Sequence, residues 1–244
     1  MALIWHAKPS GGYAYNSTEG LDNIDCINGV LNSMGYCLEA QAGIIGNMIH
    51  ESALNPWRWQ NDVVYEDGGY GLFQFTPAKH YFWYCGDVPY FAGNLSTVAT
   101  YPVSARPYDG HCQLIVFDQD LLSKWEPTCW RWYWDRTEYS NLWEMRRRLI
   151  DTYGSNGELS QAQFKNVANI DWATFAFLAC YEGPGKPNFS VRAASARDVY
   201  AYLSGETPPP PDPPGPGPGP QPPLPWDSTG KVMFYLKPWW KRGF

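Results

Sequence analysis

The sequence contains no long hydrophobic run. Across its 244 residues, no apolar stretch approaches the roughly 20 residues that a transmembrane helix needs. The first residues, MALIWHAKPSGGY, hold too short an apolar stretch for a signal peptide. We therefore expect no membrane span and no signal peptide, so a role outside the cytoplasm would require delivery by another route.

The chain also lacks an excess of positive charge. Its formal net charge is −6 at pH 7, and its pI is near 5.2. A protein of this charge has no broad electrostatic attraction for the phosphates of nucleic acids or for an anionic bilayer. Nucleic acid is therefore not an expected partner.

Patterns typical of metal, cofactor and phosphate sites are missing as well. No HExxH helix surrounds His50, and the glycines at 215–219 alternate with proline, so they cannot offer consecutive backbone donors to a phosphate. The six cysteines show no CxxC spacing. We expect no metal and no cofactor, and we favour buried free thiols over the alternative of three disulfides.

Apolar residues are abundant, at 44% of the chain, and most recur at helical spacing. One stripe lies within 24–34, and residues 38–51 predict a nearly all-apolar helix that should be central. Further blocks predict helices within 111–125 and 138–150. The body of the protein should be mainly helical.

Capping signals predict the later helices. Ser160 and Gln163 fit a capping box that opens a short helix. Further along, Asp171 is expected to cap a helix reaching Tyr181, and Ser190 to cap one that runs to Leu203 and stops at Gly205.

A short segment between residues 63 and 76 departs from the helical pattern. The runs VVYE and YGLFQF flank Asp67-Gly68-Gly69, a turn sequence between two β-prone stretches. This pattern predicts a small β-hairpin directly after the central helix. The predicted fold class is α+β, mainly α, with the hairpin forming one wall of a cleft.

A proline- and glycine-rich tract at 207–225 marks the one clear domain boundary. It lacks the side chains for a core and should form an extended spacer. We divide the chain into an N-terminal arm (1–20), a folded domain (21–206), this linker, and a short aromatic and basic tail (226–244) that would dock on a partner.

One carboxylate stands out in the predicted central helix. Residues 43–56 read GIIGNMIHESALNP, which places Glu51 at the end of an apolar run, just before a turn that ends in proline. An acid in apolar surroundings loses hydration, which keeps its proton available near neutrality. Glu51 is therefore the leading catalytic candidate.

These motifs together resemble a known family. GIIGNMIHESALNP followed by GYGLFQFTP is similar to the lysozyme-like muramidase domain of phage tail-associated lysins, and later segments extend the resemblance over about 21–204. The resemblance implies a lysozyme-like fold and cleavage of the peptidoglycan glycan strand, with Glu51 as the general acid. It also implies a tail or virion location, with phage tail proteins as possible partners of the C-terminal tail. Phe75 departs from the family pattern, in which tryptophan is expected after Gln74.

The remaining site residues are less firmly indicated. Tyr70 and Gln74 on the proposed hairpin would line the cleft and hold N-acetyl groups or sugar hydroxyls, and Glu66 and Glu182 are further substrate-binding candidates. The sequence identifies no second catalytic carboxylate, since Asp62, Glu66 and Asp67 all fit solvated surface positions.

Three functions therefore stay open. A carboxylate facing Glu51 would support hydrolysis, with its distance deciding the stereochemistry. Without one, a lytic transglycosylase, in which the sugar's own hydroxyl closes an anhydro ring, is favoured. A noncatalytic wall-binding module is the third possibility.

Overall fold

The computed structural model describes residues 4–8, 10–65, 67–79, 81, 109–119, 124–128, 140–183 and 187–206. Helices dominate this part of the chain, as predicted. The candidate Glu66, the linker at 207–225 and the tail at 226–244 lie outside the described residues.

Two long helices form the N-terminal half of the described fold. Helix α1 (Thr18–Ser33) begins where the Ser17 side chain accepts a hydrogen bond from the amide of Gly20, and it buries the predicted apolar stripe. Helix α2 (Leu38–Ser52) is the apolar helix predicted at 38–51, and it ends at Ala53, whose backbone is left-handed.

The other helices follow in the order α3 (Asp109–Gln119), α4 (Ser140–Tyr153), α5 (Gln161–Phe164), α6 (Ile170–Phe177) and α7 (Phe189–Ser204). The predicted capping box is present at the start of α5, and Gly205 ends α7 as expected. No helix among the described residues is both long and apolar enough to cross a membrane.

Two predicted caps are wrong. Asn169, rather than Asp171, caps α6 by accepting a hydrogen bond from the amide of Trp172. Asp171 lies in the first turn of the helix instead and forms an ion pair with Arg197. Helix α7 follows Asn188, whose left-handed backbone turns the chain into the helix without a side-chain cap, so Ser190 lies inside the helix.

Helix α6 does not reach Tyr181 in α-helical form. It continues as a five-residue π-helix, Leu178–Glu182, which Gly183 ends in a left-handed conformation. Single π-turns inside helices are often found at functional sites. Glu182, the last residue of this π-helix, is partly exposed.

Helix α2 is the centre of the domain, packed mainly against α6 and α7. Two glycines permit this close packing. A Cβ atom on Gly43 would lie 2.6 Å from the backbone nitrogen of Thr174 in α6, and one on Gly46 would lie 2.7 Å from the Cβ of Ala196 in α7. Any larger residue at either position would push the helices apart.

The predicted β-hairpin does not form within the described residues 59–65 and 67–79. Isolated antiparallel bridges join Trp59 to Tyr70 and Tyr70 to Phe75 instead. The segment YGLFQF is itself a tight loop, closed by two backbone hydrogen bonds between Tyr70 and Phe75. Positive φ angles at Gly71 and Gln74 prevent it from running as a strand.

Both of the open cysteine interpretations apply in part. Cys26, Cys37 and Cys112 are free thiols, and burial raises the pKa of Cys26 to about 12. Cys180 is disulfide-bonded.

Candidate active site

Glu51 lies in the last turn of α2, where the central helix reaches the surface. Its side chain is 20% exposed, so it is mostly covered yet open to a ligand on one side. The two residues that follow Ser52, Ala53 and Leu54, both have left-handed backbones, with φ of 48° and 59°. Such conformations cost non-glycine residues about 1–3 kcal/mol each and cluster at functional sites.

A buried arginine holds the Glu51 carboxylate. Nη2 of Arg192 in α7 donates to Glu51 Oε1 at 2.6 Å, and the arginine side chain is only 7% exposed. Arg192 is the only hydrogen-bond partner of the Glu51 side chain within the described ranges. This single hydrogen bond fixes Oε1, and Oε2 has no protein donor among the described residues.

The same guanidinium is anchored on its other sides. Nε donates to the carbonyl of Pro187 at 3.2 Å, and Nη1 donates to the Asn47 side-chain oxygen at 3.2 Å. Asn47 is itself fully buried and donates to the carbonyls of Gly43 and Thr174. A polar network through α2, α6 and α7 thus sets the position of Arg192, and through it that of Glu51.

Arg192 was missed by sequence reasoning, which considered only the apolar neighbours of Glu51 in α2. A guanidinium stabilises a carboxylate, whereas apolar surroundings disfavour one. The sequence does carry a signal: Arg192 is the one charged residue in the run Val191–Ala196, whose other members are small or apolar. A lone arginine in such a run needs a buried partner.

His50, like its neighbour Glu51, contacts helix α7. Its Nε2 atom lies 3.1 Å from the hydroxyl of Ser195 in α7. Burial lowers the pKa of His50 below its ordinary value of 6.5, and the Arg192 charge lowers it further. A hydrogen bond to the Val191 backbone and the Glu51 charge act in the opposite direction, without reversing the shift.

Replacing His50 by Gln should reduce the loss of folding stability that the protein undergoes as the pH falls below 6.5. Because the pKa is depressed in the folded state, the unfolded chain binds the proton more readily, and the wild type loses stability as pH falls below 6.5. The variant should lose less free energy of unfolding over that range, measured by urea denaturation at several pH values. The same change at His111, exposed on α3, is the control; equal pH slopes for the wild type and the His50 variant would contradict the assignment.

In the loop at 70–75, Tyr70 is buried whereas Gln74 is partly exposed. Tyr70 is fully buried, and its hydroxyl donates to Asp109 at the start of α3, so its side chain has no surface to offer a ligand. Gln74 is partly exposed, and its amide nitrogen donates to the carbonyls of Arg58 and Gly71. Tyr70 therefore supports the loop, whereas Gln74 stands at its surface.

A pocket of about 230 Å³ brings Gln74 and Glu182 together. Its lining is completed by Phe73, Phe75, Thr76, Lys124 and Tyr181. Glu51 is not among these lining residues. Aromatic walls with a few polar groups are typical of carbohydrate and small-molecule sites.

The other carboxylates considered in the sequence are engaged elsewhere. Asp62 accepts a hydrogen bond from the amide of Gly11 and pairs with Arg58 at 3.2 Å. Asp67 pairs with Lys79. Within the part of the chain that the structure covers, no group of three or more His, Cys, Asp or Glu residues is arranged to hold a metal ion.

Comparisons with known proteins cover most of this domain. A family model described as phage tail lysozyme matches residues 22–203. The chain is also similar to morphogenesis protein 1 of Bacillus phage B103, with 25% identity over 185 residues, which is 75% of this chain and 40% of the relative. The chain thus spans less than half the length of that curated relative.

Proposed function

Because this chain belongs to the phage tail lysozyme family, we propose that it cleaves the glycan strand of bacterial peptidoglycan by hydrolysis, with Glu51 as the general acid. The observation that carries the proposal is the partly exposed Glu51 carboxylate in the last turn of the central helix, held by the buried Arg192. A rigid, partly covered acid beside an open surface is what a glycosidase needs to protonate a leaving group.

The contact with Arg192 gives the two carboxylate oxygens of Glu51 different roles. Arg192 donates to Oε1, so we assign the transferable proton to Oε2. When the glycosidic bond breaks, the departing sugar oxygen takes this proton while positive charge develops on the ring. Glu51 is then a carboxylate, which Arg192 stabilises by its charge-assisted hydrogen bond. Water adds to the positive ring carbon and gives up a proton that returns to Glu51, which completes the hydrolysis.

We assign the pocket at Gln74 and Glu182 to sugar substituents. Phe73, Phe75 and Tyr181 supply apolar walls for a ring or N-acetyl group, while Gln74 and Glu182 supply polar atoms in the lining. Tyr70 takes an indirect part, because its bond to Asp109 holds the loop that carries Gln74.

Replacing Glu182 by Gln should raise KM about tenfold with little change in kcat, since the pocket binds substrate and transition state alike. Initial rates on soluble glycan strands of fixed length separate the two constants. Glu158→Gln, an exposed change outside the pocket, is the control. A drop in kcat at constant KM would show that Glu182 acts in the chemical step and not in substrate binding.

A lytic transglycosylase is the second candidate, favoured by one specific observation. Asp62 and Asp67 are both engaged in ion pairs, so neither stands as an evident partner for Glu51. A transglycosylase needs only one acid/base residue, because the C6 hydroxyl of the sugar attacks in place of water.

Mass spectrometry of the products released from purified sacculi tests the proposal. Hydrolysis gives fragments with reducing ends, which borohydride reduces. Fragments with anhydromuramyl ends would show that the protein is a lytic transglycosylase and not a hydrolase. Binding to sacculi without released fragments would show that it is a noncatalytic wall-binding module.

We further propose delivery to the wall as part of a phage particle. The family is one of tail lysozymes, and the relative is a morphogenesis protein by name, which supports a virion location. In this proposal the linker at 207–225 holds the domain away from a tail protein bound by residues 226–244. Removal of 207–244 should abolish particle association, and unchanged association would refute the docking role.

A further inference from the structure

The turn directly after Glu51 has a conformation that its own sequence does not favour. Ala53 and Leu54 both adopt left-handed backbones although neither is glycine. Two such residues in succession persist only where surrounding contacts hold them. Those contacts come largely from the first residues of the chain, here called the N-terminal strap (residues 4–8 and 10–13).

The strap holds both carbonyl groups of the turn. The amide of Tyr13 donates to the carbonyl of Ala53 at 2.8 Å. The carbonyl of Leu54 accepts a hydrogen bond from the buried Asn23 side chain at 2.8 Å, and this same side chain exchanges hydrogen bonds with the backbone N–H and C=O of His6. One carbonyl is thus bound directly and the other through α1.

The next residue of the turn, Asn55, is fully buried and is also bound by the strap. Its side-chain amide donates to the carbonyls of Lys8 at 2.9 Å and Gly11 at 2.7 Å. Its side-chain oxygen accepts from the amide of Trp57, which fixes the chain as it leaves the turn. Every residue from 53 to 55 therefore has a polar contact that leads to the strap.

Gly12 brings the strap close enough to make these contacts. A Cβ atom at this position would lie 2.1 Å from the Cβ of Ala53 and 3.0 Å from the carbonyl oxygen of Ser52. Glycine is needed here because the strap backbone lies directly on the end of α2, one residue beyond the candidate acid.

We propose that the N-terminal strap is a positioning element of the active site. It holds the end of α2 so that the Glu51 side chain lies where it can contact both Arg192 and the substrate. The inference rests on the proposed role of Glu51 as the acid. It assigns a role in the reaction to residues outside the range 22–203 that the family model matches.

Gly12→Ala in the full-length chain tests the proposal. The new methyl group pushes the strap off the turn, and a displacement of about 1 Å at a reacting group can lower rates on the order of 10²-fold. We expect kcat on soluble glycan strands to fall by about that factor while KM stays within about twofold. Ser10→Ala, an exposed change in the same strap, is the matched control and should leave both constants unchanged.

A second substitution separates positioning from loss of folding. Gly12→Ala/Ala53→Gly removes the contact of 2.1 Å between the two Cβ atoms and leaves only the contacts of 3.0 Å to the carbonyl oxygens of Ser52 and residue 53. Glycine also accepts the positive φ at position 53 without strain. This double variant should recover kcat at least tenfold relative to Gly12→Ala, with Ala53→Gly alone as its reference. All rates are taken well below the melting temperature of each variant.

Hydrogen exchange of the Tyr13 amide gives a readout that does not depend on Glu51. Exchange should be faster in Gly12→Ala and slow again in the double variant. Faster exchange with wild-type kcat, or no recovery of kcat in the double variant, would overturn the strap's role. Full activity of Glu51→Gln would instead sink the proposed function and leave the exchange result standing.

Discussion

Glu51→Gln should lower the rate of peptidoglycan cleavage on the order of 10²–10⁴-fold, the usual contribution of a general acid. Glutamine has nearly the same shape, and its carbonyl oxygen can still accept the hydrogen bond from Arg192, but it has no proton to give. Because Arg192 loses a charged partner while buried, we also expect the variant to lose about 1–3 kcal/mol of stability. Release of dye from labelled sacculi measures the rate, and urea denaturation measures the stability.

The matched control is Glu39→Gln, in the first turn of the same helix. It removes the same charge from α2 at the end distant from the candidate site, so its cleavage rate should equal that of the wild type. Wild-type rates from Glu51→Gln, when the variant is shown to be folded, would remove Glu51 as the acid.

Replacing Arg192 by Met should produce the second largest effect, on both stability and activity. The methionine leaves the Glu51 carboxylate, the Asn47 oxygen and the Pro187 carbonyl without their donor, and breaking a buried pair in this way costs about 3–5 kcal/mol. We expect cleavage to fall at least tenfold, because the carboxylate is no longer fixed.

Arg192→Lys distinguishes a positioning role from a merely structural one. Lysine keeps the positive charge but loses the planar guanidinium that contacts Glu51, Asn47 and Pro187 together. We expect it to recover part of the stability lost in Arg192→Met while kcat stays low.

Arg197→Met is the control for Arg192. Arg197 lies on the same helix and pairs with Asp171 at 2.7 Å rather than with Glu51. Its loss should reduce stability with little effect on kcat. Equal losses of activity from the two arginine variants would show that both act only through stability.

Local signals predicted the elements that depend on nearby residues. The apolar run at 38–51 was enough to identify α2, and Ser160 with Gln163 identified the start of α5, because helical periodicity and capping are properties of a few adjacent residues. The position of Glu51 at the end of α2 follows from the same pattern.

The hairpin was wrong because β-prone residues do not by themselves fix backbone angles. Phe73 and Phe75 are aromatic and favour strands, yet they turn inward and pack into the core. The left-handed backbone of Gln74 between them is imposed by the fold rather than by its residue type. Tertiary packing therefore decided the conformation of this loop.

Contacts between distant residues could not be predicted at all. Arg192 is separated from Glu51 by 141 positions, and the strap reaches Asn55 across 44 positions from Gly11. Neither pairing leaves a periodic pattern in the sequence. The candidate acid could be found from local apolar context, but the groups that hold it required the fold.

The most direct test uses glycan strands stripped of their stem peptides. Wild type and Glu51→Gln are incubated with the strands at equal enzyme concentration, and the lengths and ends of the products are determined by mass spectrometry. We predict shortened strands with new reducing ends from the wild type and intact strands from the variant. Intact strands with the wild type, or the same products from both proteins, would contradict the account.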